Sequence, residues 1–413
     1  MLATRRLATS NSSRGENALP EIQDEQSFDR TIASAAVGTL HLRCRKRDVA
    51  IGRASTVEPD TSDVGSCAVR AFDPRGPQPG RASRSFGRRD EIKGTGMSTY
   101  LSRVASAAAV TLSMMVCSPA FAQRPSDPAL LIPQEAAEMD YVAVANPLIV
   151  PAGMVTGAPS SVAFDKQGNI WVLYRGTQPF VEFDKRGKFL RAFGEGLFVR
   201  PHGLKFDNDG NMWATDVDGH IVYKVSTRGR ILLKLGTGEQ SGLINEPNDI
   251  AVAANGDVFI AQGHTPGDDG DPRVVKFDKD GHFIKSWGGK GSGPGQFQVA
   301  HGISIDAHGR LWVADRENQR IQIFDQDGNY IREMKYAGLP CSLQIGDQYV
   351  YMVNGFAGQV LRLDLDGKVL AATGKAGTGL GEFGEAHAIA VSKNGEIWVA
   401  DSINSVVHKF VKK

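Results

Sequence analysis

The stretch "RPHGLKFDNDGNMWATDVDGHIVYKV", Arg200 to Val225, holds two alternating apolar runs separated by Asp209-Gly210. An X-Gly pair between such runs marks a β-hairpin, because glycine supplies the positive φ the turn needs. The aromatic Trp213 closes the second run. Equivalent aromatics recur at Trp171, Phe259, Trp312, Tyr351 and Trp398, spaced by 42, 46, 53, 39 and 47 residues when Trp213 is included. Most copies carry the same turn: Gln167-Gly168, Asn255-Gly256, His308-Gly309 and Asn394-Gly395. A third run follows in each copy ("FVEFD", "RVVKFD", "RIQIFD"). A second X-Gly pair such as Arg186-Gly187 or Asp280-Gly281 then leads into a fourth run.

Four antiparallel strands per copy, in six copies, predict an all-β, six-bladed β-propeller. The last copy stops after its third strand, Val406–Phe410. "DYVAVANPLIV", Asp140 to Val150, is expected to supply the fourth and close the ring, which removes an open sheet edge. The propeller is thus expected over residues 140–413, after a linker at 123–139.

The upstream residues read differently. Residues 1–96 hold 14 Arg, 2 Lys and 12 acidic side chains without a sustained apolar period, and composition of this kind does not build a core. They are expected to be disordered or misassigned upstream sequence. Residues 97–122 carry Arg103, an apolar core from Ala105 to Val116 and Ala120-Phe121-Ala122. This is the pattern of a signal peptide, cleaved near Ala122 and leading to the periplasm or to secretion. Without both segments the chain has a net charge of −4, which disfavours nucleic acid as a partner. No membrane span is expected, and the propeller is expected to act as a monomer. Cys341 is its lone cysteine.

The glycine-rich "GGKGSGPGQF", Gly288 to Phe297, precedes a strand rather than a helix, so it is not a phosphate loop. The D-x-D-G pieces lack the acidic residue that completes a calcium loop, so they are turns.

The first strand of each blade lines the channel of a propeller. At its mouth the six copies place Ser160, His202, Asn248, His301, Cys341 and His387. Histidine occupies alternate blades, so three imidazoles approach the axis at one depth. That is the arrangement of a His₃ metal site with an open position, suited to zinc and acceptable to copper, iron or nickel. The loops on the same face carry Arg175 and Arg316 in opposite blades, and guanidinium forks suit a carboxylate. His264 follows in the third blade as a candidate general base. Asp216, Asp315 and Asp401 end the second strands of the histidine blades; they either orient the imidazoles or secure turns. Cys341 is expected to be a small filler.

Several stretches carry a family resemblance: "PHGLKFDNDGNMWATDV", "GPGQFQVAHGISIDAHGRLWVADRENQRIQIF" and "EAHAIAVSKNGEIWVAD". Across residues 155–413 the chain resembles the NHL-repeat propellers, and within them peptidyl-α-hydroxyglycine α-amidating lyase. The resemblance implies a catalytic zinc on His202, His301 and His387, and substrate-binding roles for Arg175 and Arg316. It implies a lyase acting on a peptide C-terminus or small molecule with a carboxylate. The reaction would cleave the C–N bond of a peptidyl-α-hydroxyglycine or similar hemiaminal to an amide and glyoxylate. The sequence departs from the family at three places. His264 stands where the family has its catalytic tyrosine, Ala388 where an aspartate helps hold a structural calcium, and the disulfide cysteines are missing. A non-catalytic propeller that binds peptides or periplasmic proteins is the alternative from a different class. A metal-dependent hydrolase or lactonase is a third, and of the carboxylate and Asn ligands such sites use, only Asn248 falls in the ligand register.

Overall fold

A computed structural model describes residues 125–240, 242–267 and 270–413. The expected upstream segment (1–96) and signal peptide (97–122) lie outside the described residues.

Six four-stranded antiparallel sheets form the blades. From the axis outward, blade one is Ala158–Phe164, Ile170–Arg175, Phe180–Phe183 and Phe189–Phe193. The inner strands of blades two to six are Pro201–Phe206, Pro247–Val252, Ala300–Ile305, Pro340–Ile345 and Ala386–Val391. Each inner strand packs beside the next, and that of blade six packs beside that of blade one, so the ring is closed. Among the described residues, no helix is long and apolar enough to cross a membrane.

The outer strand of blade six is Tyr141–Val144, which pairs antiparallel with Val406–Lys412. It is shorter than the expected Asp140–Val150. The segment before it was expected to be a linker, yet its described part lies against blade five. Met139 N–H donates to Ala372 O, Ala372 N–H donates to Ala137 O, and Gln134 exchanges hydrogen bonds with Gln359. Met139 is buried. The N-terminal segment therefore spans the seam instead of merely ending at it.

The apolar core lies between blades, in six clusters, one at each blade interface. Alternation explains this: the faces of the twisted sheets are apolar, while the inner strands turn small and polar groups to the axis. The repeated tryptophans lie in these interfaces. Trp171, Trp213 and Trp312 each donate their indole N–H to an aspartate six residues earlier: Asp165, Asp207 and Asp306 (3.1, 3.1 and 3.0 Å). In blade six Ser392 takes the place of that aspartate, and the Trp398 indole N–H is buried without a partner. The axis is thus left to polar groups, including Ser160, Asn248 and the three histidines, all fully or nearly fully buried.

Candidate metal centre and anion site

In every blade the ladder between the first and second strands shifts register at the mouth residue. The shifts fall at Pro159/Ser161, Pro201/Leu204, Pro247/Asp249, Ala300/Gly302, Pro340/Ser342 and Ala386/Ala388. A bulge re-aims its extra side chain and leaves its backbone out of the ladder. Both effects are used. The bulged side chains of blades two, four and six are His202, His301 and His387. The bulged residues of the next blades round the ring offer their free carbonyls to them. Nδ1–H of His202 donates to Asn248 O (2.9 Å), that of His301 to Cys341 O (2.9 Å) and that of His387 to Ser160 O (2.7 Å).

The close approach this requires explains two glycines. A Cβ on Gly203 would sit 2.6 Å from Asn248 O, and one on Gly302 would sit 2.5 Å from Cys341 O. In blade six the corresponding Ala388 is accommodated.

A carbonyl oxygen only accepts, so each Nδ1 carries the proton and each Nε2 presents a lone pair. Nε2 of His387 lies 3.1 Å from Nε2 of His202, and Nε2 of His301 is buried without a partner. One nitrogen from each of the three rings lies within 4.8 Å of the others. Two acceptors at 3.1 Å repel unless a cation lies between them. A proton does not supply it: burial first, then neighbouring imidazoles and arginines, push His202 and His301 well below the ordinary histidine range. Burial and Arg175 bring His387 down to about 3. On a tetrahedral zinc with bonds of about 2.0–2.1 Å, ligand nitrogens stand about 3.3 Å apart. The three histidines thus fit a metal ion by donor chemistry, tautomer and spacing.

Asp216, Asp315 and Asp401 do not touch the imidazoles of the triad; Asp401 instead meets His408 Nε2 at 3.4 Å. Asp216 accepts the amides of Val199 and Arg200, Asp315 that of Gln298, and Asp401 those of Gly384 and Glu385. They secure the chain just before each histidine strand, which is the turn-forming alternative. Cys341 is fully buried, and burial pushes its thiol up to about 12, so it stays neutral and acts as filler while its carbonyl holds His301.

Beneath the histidines the channel narrows to a space of about 10 Å³. On the other side a groove of about 1090 Å³ opens beside Arg175, lined also by Met154, Phe198, Val199 and Arg200. Beyond the narrow part, at the far end of the inner strands, a second space of about 810 Å³ opens beside Leu204, Ser304, Leu343 and Ile389. Arg175 forms no ion pair with a described residue, and its Nε only grazes Pro201 O at 3.4 Å. Burial draws it down to about 10, so it stays cationic at neutral pH. Burial acts most strongly, to lower Arg316, but Glu317, Cys341 and Glu385 together hold it upward. The Glu317 carboxylate takes its Nε and Nη2 (2.8 and 2.7 Å).

His264 joins the cluster, its ring 4.9 Å from that of His202 and 5.7 Å from that of His301. Asn248 Nδ2 donates to Ala300 O, so Asn248 Oδ1 is the acceptor facing His264 Nδ1 at 2.7 Å. His264 therefore also keeps Nε2 unprotonated. Burial, then Arg316, hold it well below the usual range.

The NHL repeat family matches residues 297–324. The mouse peptidyl-glycine alpha-amidating monooxygenase is 30% identical over 307 residues, covering 62% of this chain and 30% of the mouse protein. The Caenorhabditis elegans protein described as a probable peptidyl-alpha-hydroxyglycine alpha-amidating lyase is 30% identical over 277 residues, covering 75% of its length and 58% of this chain. The chain belongs to the peptidyl-alpha-hydroxyglycine alpha-amidating lyase family. The chain thus spans less than a third of the length of the mouse relative. Among solved structures, a streptogramin B lyase superposes with a TM-score of 0.50 at 17% identity, covering 68% of this chain and 100% of that one. That likeness shows the propeller fold alone. Membership of the amidating lyase family supports a lyase-like function.

Proposed function

We propose that this chain is a zinc-dependent lyase that splits the C–N bond of a peptidyl-α-hydroxyglycine, or a similar hemiaminal, into an amide and glyoxylate. The observation that carries the reading is the pair of facing Nε2 lone pairs of His202 and His387, 3.1 Å apart, with the unpartnered Nε2 of His301 beside them and cationic Arg175 nearby. A divalent ion on these three nitrogens supplies Lewis acidity to an oxygen placed next to it.

The chain's own residues do the rest. Arg175 offers its fork to the substrate carboxylate, and Arg316 adds the part of its guanidinium that Glu317 does not hold. His264 takes the hydroxyl proton on Nε2, the lone-pair nitrogen that its bond to Asn248 leaves free. As the O–H pair becomes the carbonyl of glyoxylate, the C–N bond breaks and its electrons stay on nitrogen, which takes the proton back from His264 to complete the amide. The groove beside Arg175 receives the acyl part. We further propose that the working protein is residues 123–413, monomeric and exported after cleavage near Ala122. Calcium has no part in the proposal.

The test is metal analysis of protein expressed from Met97, followed by glyoxylate release from α-hydroxyhippurate. One zinc per chain and metal-dependent release, both lost in His301→Ala, are expected. Full activity in His301→Ala would remove the mechanism. One zinc per chain without turnover would favour a changed substrate or the peptide-binding alternative.

A further inference from the structure

Glu385 was not singled out by the repeat register, yet it is one of two carboxylates at the site left half used; the other, Glu317, gives Oε1 to Arg316 and keeps Oε2 buried without a partner. Glu385 stands two residues before His387 and is fully buried. The Ser402 hydroxyl donates to its Oε2. Its Oε1 is buried without a partner. Blade three offers an internal comparison. Glu246 occupies the same repeat position two residues before Asn248, and there Thr265 satisfies both oxygens, with N–H and Oγ1–H each at 2.7 Å. A buried carboxylate oxygen denied its hydrogen bond carries a desolvation cost. The fold spends the matching contact in blade three and withholds it in blade six.

Where that oxygen lies limits what it can serve. The anchor of Glu385, Ser402, directly follows the second strand of blade six, the repeat position held by Arg175 in blade one and Arg316 in blade four, and the next amide, Ala386 N–H, donates to Gly355 O at the same position of blade five. Held there, and two residues before His387, Glu385 stands at the histidine face on the level of the arginines. The ligand site thus joins cationic donors and, in Glu385, a carboxylate acceptor that no arginine holds. A single carbon substituted by a carboxylate and an N–H presents the complementary pair.

We propose that Glu385 Oε1 accepts the N–H of the substrate's scissile nitrogen while the arginines hold its carboxylate, which makes the site selective for N-acyl α-amino acid derivatives that retain that N–H. This rests on the lyase reading for the substrate class, and on Glu385 itself for the selectivity. Ser402 fixes the carboxylate from behind, so the acceptor is set in place before the ligand arrives.

The test uses two unreactive probes on the full chain loaded with zinc: N-benzoylglycine and its N-methyl counterpart N-benzoylsarcosine, measured by calorimetric titration. Wild type is expected to favour the N–H compound by roughly tenfold or more, the scale of a hydrogen bond to a charged acceptor. In Glu385→Ala the preference disappears. In Glu385→Gln, which keeps volume and a neutral acceptor, it shrinks to a few-fold. Zinc content stays unchanged in both variants. Equal binding of the two probes by wild type, no binding of either, or an equal preference in wild type and both variants overturns the proposal. Loss of the preference in the variants, combined with no glyoxylate from α-hydroxyhippurate in wild type, upholds the Glu385 contact and removes the lyase reading alone.

Discussion

Lowering the pH of metal-free protein from 7 to 5.5 should weaken the fold through its central histidines. His202, His301 and His387 are 2, 2 and 3% exposed, and each is held neutral in the ring. Burial sets His387 at about 3 and the other two well below their ordinary value. In the unfolded chain each titrates near ~6.5. The folded values are depressed, so below that pH the unfolded chain binds protons that the ring refuses. Stability is therefore complete above about pH 7 and falls as pH drops, down to the folded value near 3. Between pH 7 and 5.5 each such imidazole contributes a loss of about 1.2 kcal/mol; the three and His264, which burial also holds well below its usual range, together give about 5 kcal/mol. For a domain of this size, that corresponds to a fall in Tm of about 10–20 °C. Calorimetric melts of chelator-treated protein at the two pH values read it directly. His387→Gln should remove about a quarter of the fall. An unchanged Tm between pH 7 and 5.5 would refute the picture of three clustered, neutral imidazoles.

Three further outcomes follow from the same contacts. His264→Ala should reduce glyoxylate release by about 10²–10⁴-fold, the usual contribution of a general base, with zinc content nearly unchanged; undiminished turnover excludes it as the base. Gly302→Ala pushes a Cβ against Cys341 O and disturbs the carbonyl that aims His301, so zinc affinity should fall by about 10–100-fold in a chelator competition. Ser392→Asp supplies the acceptor that the Trp398 indole lacks and should stabilise the fold by about 1 kcal/mol, read as a rise in Tm of about 2–4 °C; no rise means that blade six satisfies the indole another way.

The sequence carried the ring and its histidines for the same reason: repetition. Once Trp171, Trp213, Trp312 and Trp398 set the phase, His202, His301 and His387 fell at one position, and a propeller turns one position into one height on the axis. What orients those rings was not legible. Backbone carbonyls of Ser160, Asn248 and Cys341 do this work, and carbonyls have no letter in a sequence; a bulge at every mouth residue, which frees them, leaves only Gly203 and Gly302 as traces. Asp216, Asp315 and Asp401 were visible as a register, but whether a carboxylate faces an imidazole or a backbone amide depends on a rotation that spacing does not encode. Residues 134–139 looked like a linker because their partners, Gln359 and Ala372, lie at the far end of the chain. Glu385 shares its register with Glu246, and only their different neighbours, Ser402 and Thr265, separate a satisfied carboxylate from one with an oxygen to spare.

The seam in blade six has an engineering consequence. Tyr141–Val144 lies alongside Val406–Lys412, and Lys413 N–H reaches Asp140 O. A circular permutant that bridges this seam with a short peptide and opens at the exposed Lys279-Asp280 turn would leave all six inner strands uncut. The histidine triad would then be indifferent to where translation starts, whereas excising any one blade would separate its members for good.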